Sequence, residues 1–270
     1  LSFPTHHQAG INDVSVFVNP RVLPENDFDN NFITLVQHVK VLPDTLAPLL
    51  EVTFDGRFIE QHEFVSPQSE IKVVVVDNNP FLFLQDTTGM QLYLQTPCID
   101  GACAFRPVYF SSAEITWSAE TADSEFEVQF RPNLAAEGTY VLRVVAADVS
   151  GNKSGGDPFE IAFNVAYENL VTIKEPYPNP FTDRAIFELE ISGESVPSEI
   201  EMILFNTRGE IVRRFDHETF GQLHIGKNVF IWEGLNQKGI PVPNGIYIFK
   251  MLVRSDAGVT EKVGKLILIR

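Results

Sequence analysis

The stretch WEGLNQKGIPVPNGIYIFKM, residues 232–251, decides the fold. Its first half is a chain of turn formers, Asn236, Gly239, Pro241, Pro243, Asn244 and Gly245. Its second half runs on into IYIFKMLV (246–253), which alternates at period two as a half-buried strand does. Trp232 closes VFIW, where alternation sets it on one face with Phe230, and a large aromatic on such a face packs across a sandwich. Gly209 in NTRGE and Gly239 in NQKGI suit turn positions of positive φ. Asn244-Gly245 reads as a hairpin turn between Val242 and a strand starting at Ile246.

Outward from this stretch the same alternation recurs in DVSVFV (13–18), EIKVVVV (70–76), EFEVQF (125–130), YVLRVVA (140–146) and EIAFNVA (160–166). No stretch sustains a helical period, and Val, Ile and Phe dominate the runs, Phe alone numbering 22. Turn clusters separate them: DNNP (77–80), DVSGNKSGGDP (148–158) and YPNP (177–180). The pattern predicts an all-β chain of tandem Ig-like β-sandwiches preceded by the last strands of another β-domain. Residues 1–42 hold only two strands, too few to bury a core. Residues 43–167 make one acidic sandwich and residues 168–270 a second. Pro178 and Pro180 around Asn179 predict an extended, stiff entry, with the first strand of the last segment beginning at Phe181 or soon after.

A length of 270 residues leaves room for two or three such units. The chain starts LSFPTHHQAG, without an initiator Met or signal peptide, and no apolar run approaches the roughly 20 residues of a membrane span. The expectation is the C-terminal piece of a larger protein. Charge is divided unevenly. Residues 1–168 hold 8 Lys and Arg against 23 Asp and Glu, a balance of −15, whereas residues 169–270 hold 12 against 13, a balance of −1. Such an acidic front repels nucleic acid and anionic lipid, whose binding needs clustered Lys and Arg, so neither partner is expected.

Cys98 and Cys103 flank the turn signal Asp100-Gly101, between the strand-like QLYLQT and FRPVYF. A disulfide stapling a hairpin in an exported protein fits this spacing, and two free buried thiols are the alternative. A zinc site would need two more ligands. Six histidines, His6, His7, His38, His62, His217 and His224, stand apart from any nucleophile and show no metal-ligand spacing. No catalytic residue, cofactor or metal is therefore expected. Weak calcium candidates are Asp27 and Asp29 in ENDFDNN, and Asp77 with Asp86, although acidic turns more often cap backbone amides. Tyr93, Tyr109, Phe110 and Trp117 are either core or a carbohydrate-binding face, the latter making the chain an adhesin fragment.

Several of these motifs carry a resemblance. The segment GINDVSVFVNPRVLPENDFDNNF (10–32) is similar to the closing strands of bacterial cell-adhesion-related Ig-like domains. APLLEVTFDGRFI (47–59), VSPQSEIKVVVVD (65–77) and GTYVLRVVAADVSGNKSG (138–155) look like a bacterial Ig-like domain. EPYPNPF (175–181), the pattern W-x-G-x-N-x-x-G-x-x-V-x-N-G-I-Y and GKLILIR (264–270) resemble the Ig-like domain of flagellar hook-capping proteins and the C-terminal sorting domains of the type IX secretion system of Bacteroidota. In this order the segments resemble the post-catalytic region of gingipain-family cysteine peptidases.

The resemblance implies export across the outer membrane, recognition by translocon and shuttle proteins, and residence at the cell surface. It places recognition near the terminal strand, at Lys265, Leu266, Ile267, Leu268, Ile269 and Arg270; the plainer reading of that strand is the last of a sandwich. Gingipain chemistry needs a His and a Cys in an α/β domain, so the chain itself is expected to be no enzyme. Asp44-Thr45-Leu46 and Asp86-Thr87-Thr88 match the O-glycosylation pattern of exported Bacteroidota proteins, making Thr45 and Thr87 candidate acceptors.

Overall fold

The alternating runs become strands in the computed structural model, which describes residues 8–19, 22–77, 79, 84–98, 103–120 and 125–270. Strands β1 (Gly10–Phe17) and β2 (Phe32–Val41) pair antiparallel in a sheet of their own. Phe17 packs on Phe32 with ring centroids 4.4 Å apart, while Ile11, Ile33 and Val36 face solvent. Two strands cannot enclose a core, so this ribbon leaves its apolar residues exposed.

The next sandwich comprises β3 (Leu49–Phe54), β4 (Glu63–Val65), β5 (Ile71–Val76), β6 (Met90–Gln95), β7 (Arg106–Val108), β8 (Ile115–Glu120), β9 (Glu125–Phe130), β10 (Gly138–Ala146) and β11 (Phe159–Val165). One sheet runs β3-β5-β9-β8 and the other β4-β11-β10-β6-β7. All their pairs are antiparallel except β4 with β11. Period two decides which residues enter the core: Ile71, Val73 and Val75 of β5 meet Tyr140, Leu142 and Val144 of β10. Burying each such aliphatic side chain stabilises by about 1.5–3 kcal/mol.

The last sandwich comprises β12 (Leu170–Ile173), β13 (Ala185–Ser192), β14 (Glu199–Asn206), β15 (Ile211–Phe215), the single helical turn α1 (His217–Phe220), β16 (Gly226–Trp232), β17 (Gly245–Ser255) and β18 (Gly258–Leu268). Its sheets are β12-β13-β16 and β15-β14-β17-β18. The first, second and fifth strands thus face the other four, the Greek-key arrangement of an immunoglobulin-like sandwich. Phe187 and Phe249 meet edge to face at 5.2 Å in its core, and Trp232 is wholly buried.

Two sequence expectations need correction here. β12 precedes the YPNP motif and regular pairing resumes only at Ala185, so the motif is not the start of a first strand. Asn244-Gly245 makes no hairpin. β16 and β17 lie in opposite sheets, so the chain crosses the sandwich there instead of reversing within one sheet. Gly209 and Gly239 do occupy positive φ, at 81° and 74°.

A tyrosine stands at an equivalent place in each sandwich. The hydroxyl of Tyr140 donates to Ala136 O at 2.9 Å and that of Tyr247 to Pro243 O at 2.6 Å, each four residues upstream. This pins the entry to the penultimate strand, as tyrosine corners do in Ig-like folds. Its sequence trace is the repeated Gly-x-Tyr of Gly138–Tyr140 and Gly245–Tyr247, which alternation alone does not single out.

The two sandwiches meet where β4 approaches β16. The carboxylate of Glu63, its side chain only 6% exposed, accepts from Arg57 Nη1 (3.2 Å), from the N–H of Glu60 (2.9 Å) and, across the joint, from the N–H of Lys227 (2.9 Å). Arg57 Nη2 donates to Ile225 O at 2.8 Å, and Lys227 Nζ donates to both carboxylate oxygens of Glu60. His224 sits beside this network, its Nε2 2.9 Å from Lys227 O. Burial, then the nearby Arg57 guanidinium, lowers the imidazole below its usual value, outweighing Glu63. A depressed folded-state value means that the contribution of His224 to stability is complete above about pH 6.5 and is lost as pH falls through the lowered value. In NMR titrations the His224 ring is expected to protonate below that usual value; protonation at or above it would contradict this packing.

Candidate recognition site

The residues of the terminal motifs converge on β18. Leu266 and Leu268 point into the core, Ile267 is half-buried, and Lys265, Ile269 and Arg270 are exposed. The outer edge of this strand is occupied by the YPNPF segment. Phe181 N donates to Ile267 O and Ile269 N to Phe181 O, both at 2.9 Å. Between them the Asn179 side chain accepts from Ile267 N (3.0 Å) and donates to Lys265 O (2.9 Å). Pro178 and Pro180 have no N–H to offer a neighbouring strand, so an amide side chain supplies the pairing that the backbone lacks.

The chain beyond β18 is fastened by the turn-rich stretch between Trp232 and Gly245. Arg270 exchanges two hydrogen bonds with the Asn244 side chain, each 3.0 Å, and its guanidinium donates to the carbonyls of Glu233 (2.9 Å), Gly234 (3.2 Å) and Val242 (3.3 Å). Beneath, Trp232 Nε1 donates to Leu235 O at 2.9 Å, and the indole packs on Phe181 (5.4 Å) and Tyr247 (5.2 Å). Asn236 Oδ1 accepts from Lys238 N and Ile240 N, fixing the loop that carries these carbonyls. An open strand edge invites pairing with any other strand. From Lys265 to Ile269 this edge is already paired, which leaves side chains, not backbone, to be read there.

An open groove of ≈ 700 Å³ adjoins the clamp, lined among others by Arg208, Ile211, Lys238, Ile240, Asn244 and Ile246. Ile211, Ile240 and Ile246 are exposed apolar residues in it, and Arg208 pairs with Glu210 at 2.9 Å.

No family model and no curated protein matches this chain. Among solved structures it is similar to dimeric latent PorU from Porphyromonas gingivalis, at 18% identity over 88% of this chain and 22% of that one, with a TM-score of 0.32. It is similar also to the FN1–FN3 domains of chicken CNTN1, at 11% identity over 88% of this chain and 71% of that one, TM-score 0.26. A third is the fibronectin(III)-like modules of CbhA from Clostridium thermocellum, at 12% identity over 81% and 94%, TM-score 0.24. The chain spans about a fifth of the PorU chain, the first of these, which it covers to 22%.

The remaining sequence candidates lie elsewhere. Cys98 and Cys103 form a disulfide, and the flanking β6 and β7 pair antiparallel, Leu92 opposite Val108 and Leu94 opposite Arg106. Asp100 and Gly101 fall outside the described residues, as do His6 and His7. Asp27 Oδ1 accepts from Asp29 N, and Asp86 caps the short 3-10 turn Thr87–Gly89 through Thr88 N. Among the described residues no group of three His, Cys, Asp or Glu is arranged to hold a metal ion, and no helix is long and apolar enough to cross a membrane.

Thr45 is exposed, and Thr87 is half-buried in its turn. Of the aromatic candidates, Phe110 packs on the core of the first sandwich, Trp117 stacks on buried Phe126 at 5.5 Å with part of its surface exposed, Tyr109 is exposed, and the Tyr93 hydroxyl donates to Gln91.

Proposed function

We infer that this chain is the non-catalytic C-terminal region of an exported bacterial surface protein, with a gingipain-family peptidase as its parent. In this reading β1 and β2 close an Ig-like domain that precedes them, and their exposed apolar residues pack against its other strands. The acidic first sandwich is a solvated spacer. The near-neutral second sandwich is the type IX sorting and attachment module, engaged by translocon and shuttle proteins at the outer cell surface.

One observation carries the reading: residues of the YPNPF and W-x-G-x-N motifs, far apart in sequence, hold a single object, the terminal strand and Arg270. Leu266 and Leu268 anchor the strand from within, and these outer contacts hold the exposed Lys265 and Ile269 in one fixed pose, which a signal read through those side chains requires.

Fusing residues 168–270 to a reporter in a type IX-competent host tests this. The reporter is expected at the cell surface. Deleting residues 265–270 should stop export, but it also removes two core leucines. Lys265→Glu with Ile269→Glu alters only exposed side chains, and this pair is expected to strand the reporter in the periplasm with the circular dichroism of the module unchanged. Periplasmic retention of the unaltered fusion would leave the module a structural one.

A further inference from the structure

The outward face of the sheet β15-β14-β17-β18 turns apolar at one end. Register sets Phe205 opposite Ile248 and Ile211, Ile248 opposite Lys265, and Ile246 opposite Ile267, so these residues share the face turned away from the core residues Leu204, Tyr247 and Leu266. Phe205, Ile248 and Ile267 are half-buried, whereas Ile211 and Ile246 are 55% and 46% exposed. An antiparallel sheet with one face in the core gives polar residues to the other, and a contiguous apolar patch left there marks a surface that meets another molecule. The groove of ≈ 700 Å³ opens from this patch, with Ile211, Ile246 and the exposed Ile240 in its lining.

Cations rim the same end. Arg208 and Lys238 come from two turns built alike, Asn206-Thr207-Arg208-Gly209 and Asn236-Gln237-Lys238-Gly239. In each, the asparagine Oδ1 accepts from the N–H groups two and four residues on: Arg208 (2.9 Å) and Glu210 (3.0 Å) in the first, Lys238 (2.9 Å) and Ile240 (3.0 Å) in the second. Both cations therefore stand on fixed backbone in the lining of the groove, and Lys265 lies opposite Ile248 on the sheet. Further along the face the cations are matched within the chain, Lys250 by Glu261 (3.1 Å) and Arg214 by Glu201 (3.2 Å). At the apolar end, among the described residues, Lys238 and Lys265 have no carboxylate within ion-pairing distance, and Arg208 has only Glu210. In a chain of net charge −16 this is a local inversion of sign.

We propose that this end of the sheet docks an extended segment of a partner protein in which apolar side chains alternate with carboxylates. Its apolar residues cover the patch around Ile211 and Ile246, and its carboxylates meet Lys238, Lys265 and Arg208, a charge match that selects the partner as much as it holds it. Apolar and cationic positions are neighbours here, as Ile248 and Lys265 show, so a segment of period two answers both at once. The edge of β18 is already paired with the Asn179 side chain, which leaves this face to hold the segment by side chains. The inference rests on the second sandwich being a recognition module, and it extends the contact from the terminal strand to the open face beside it.

The full chain, titrated with fluorescein-labelled dodecapeptides in low salt and again at about 0.3 M NaCl, tests the docking by anisotropy and by amide NMR shifts. An alternating Val-Glu peptide is expected to bind, with shifts at Ile240, Ile246 and Ile248 and an affinity that falls as salt rises, while alternating Val-Lys and Ser-Glu peptides do not bind. Lys238→Glu with Lys265→Glu, both exposed positions, should weaken the Val-Glu peptide about tenfold or more with circular dichroism unchanged. Equal binding of the Val-Lys peptide, no binding of any peptide, or an undiminished affinity in the double variant would overturn the site. Binding to vesicles of phosphatidylcholine and phosphatidylglycerol in place of the peptide would also overturn it, as would sedimentation showing a second copy seated on this face. Should the double variant fail to fold, the comparison of Val-Glu with Val-Lys on the unaltered chain decides. Peptide binding while the reporter fusion stays in the periplasm would remove the sorting role and keep the docking face; surface export without peptide binding would do the reverse.

Discussion

Trp232→Ala is expected to remove about 3–5 kcal/mol from the stability of the second sandwich, the range for deleting a buried Trp or Phe side chain. The indole has no exposed surface, so the loss combines its transfer term with the cavity left between Phe181 and Tyr247. It also leaves Leu235 O without its donor. Chemical denaturation of the full chain, followed by probes in each sandwich, should show the second sandwich unfolding at lower denaturant than in the unaltered protein and ahead of residues 43–167, with which it otherwise unfolds coupled. Trp232→Phe, which keeps most of the ring volume, should recover part of the loss. A change below about 1 kcal/mol would mean that the site collapses freely and that Trp232 is not what joins the motif loop to the strand beneath it.

Gly226→Ala is the second large effect, and it acts on the joint. Gly226 holds φ at 99°, a region costing an L-residue about 1–2 kcal/mol by itself. A Cβ there would also press on Glu63 Oε1 and stand 2.6 Å from Phe64 O, and a backbone carbonyl cannot yield as a flexible side chain does. Displacing β4 from β16 breaks the bond from Lys227 N to Glu63, leaving a buried carboxylate short of a donor. The expected result is two independent thermal transitions in place of coupled unfolding, with each sandwich still folded at 25 °C. Small-angle scattering should show a wider distribution of shapes. A single transition at the wild-type temperature would contradict the joint.

Much of the fold was legible because a strand buried on one face writes period two into its sequence. EIKVVVV and EFEVQF show it, and both become central strands. Trp232 was legible for the same reason, since alternation fixes a face without knowledge of the partner sheet. What sequence reading missed is side-chain bonding to remote backbone. Nothing local in YPNP says that Asn179 will pair with Lys265 and Ile267, 86 and 88 residues away, and the prolines alone suggest an extended start. Asn244-Gly245 carries the composition of a hairpin, but which sheet receives the next strand is a tertiary matter. Glu63 reads as one acid among many until the chain brings Lys227, 164 positions on, against it. The terminal residues were named as one recognition stretch, and the fold divides them: Leu266 and Leu268 inward, Lys265 and Ile269 outward, Arg270 tied to three carbonyls.

Amide hydrogen exchange at Ile267 tests the clamp directly, because its N–H is given to a side chain, Asn179 Oδ1, and not to a neighbouring strand. In the intact chain this amide should exchange as slowly as those of the β17–β18 ladder. In Asn179→Ala it should open by orders of magnitude in rate while the amides of β13 and β14 keep their protection. Fast exchange at Ile267 in the unaltered protein, or protection unchanged by Asn179→Ala, would contradict the account of a terminal strand fastened by the motif residues.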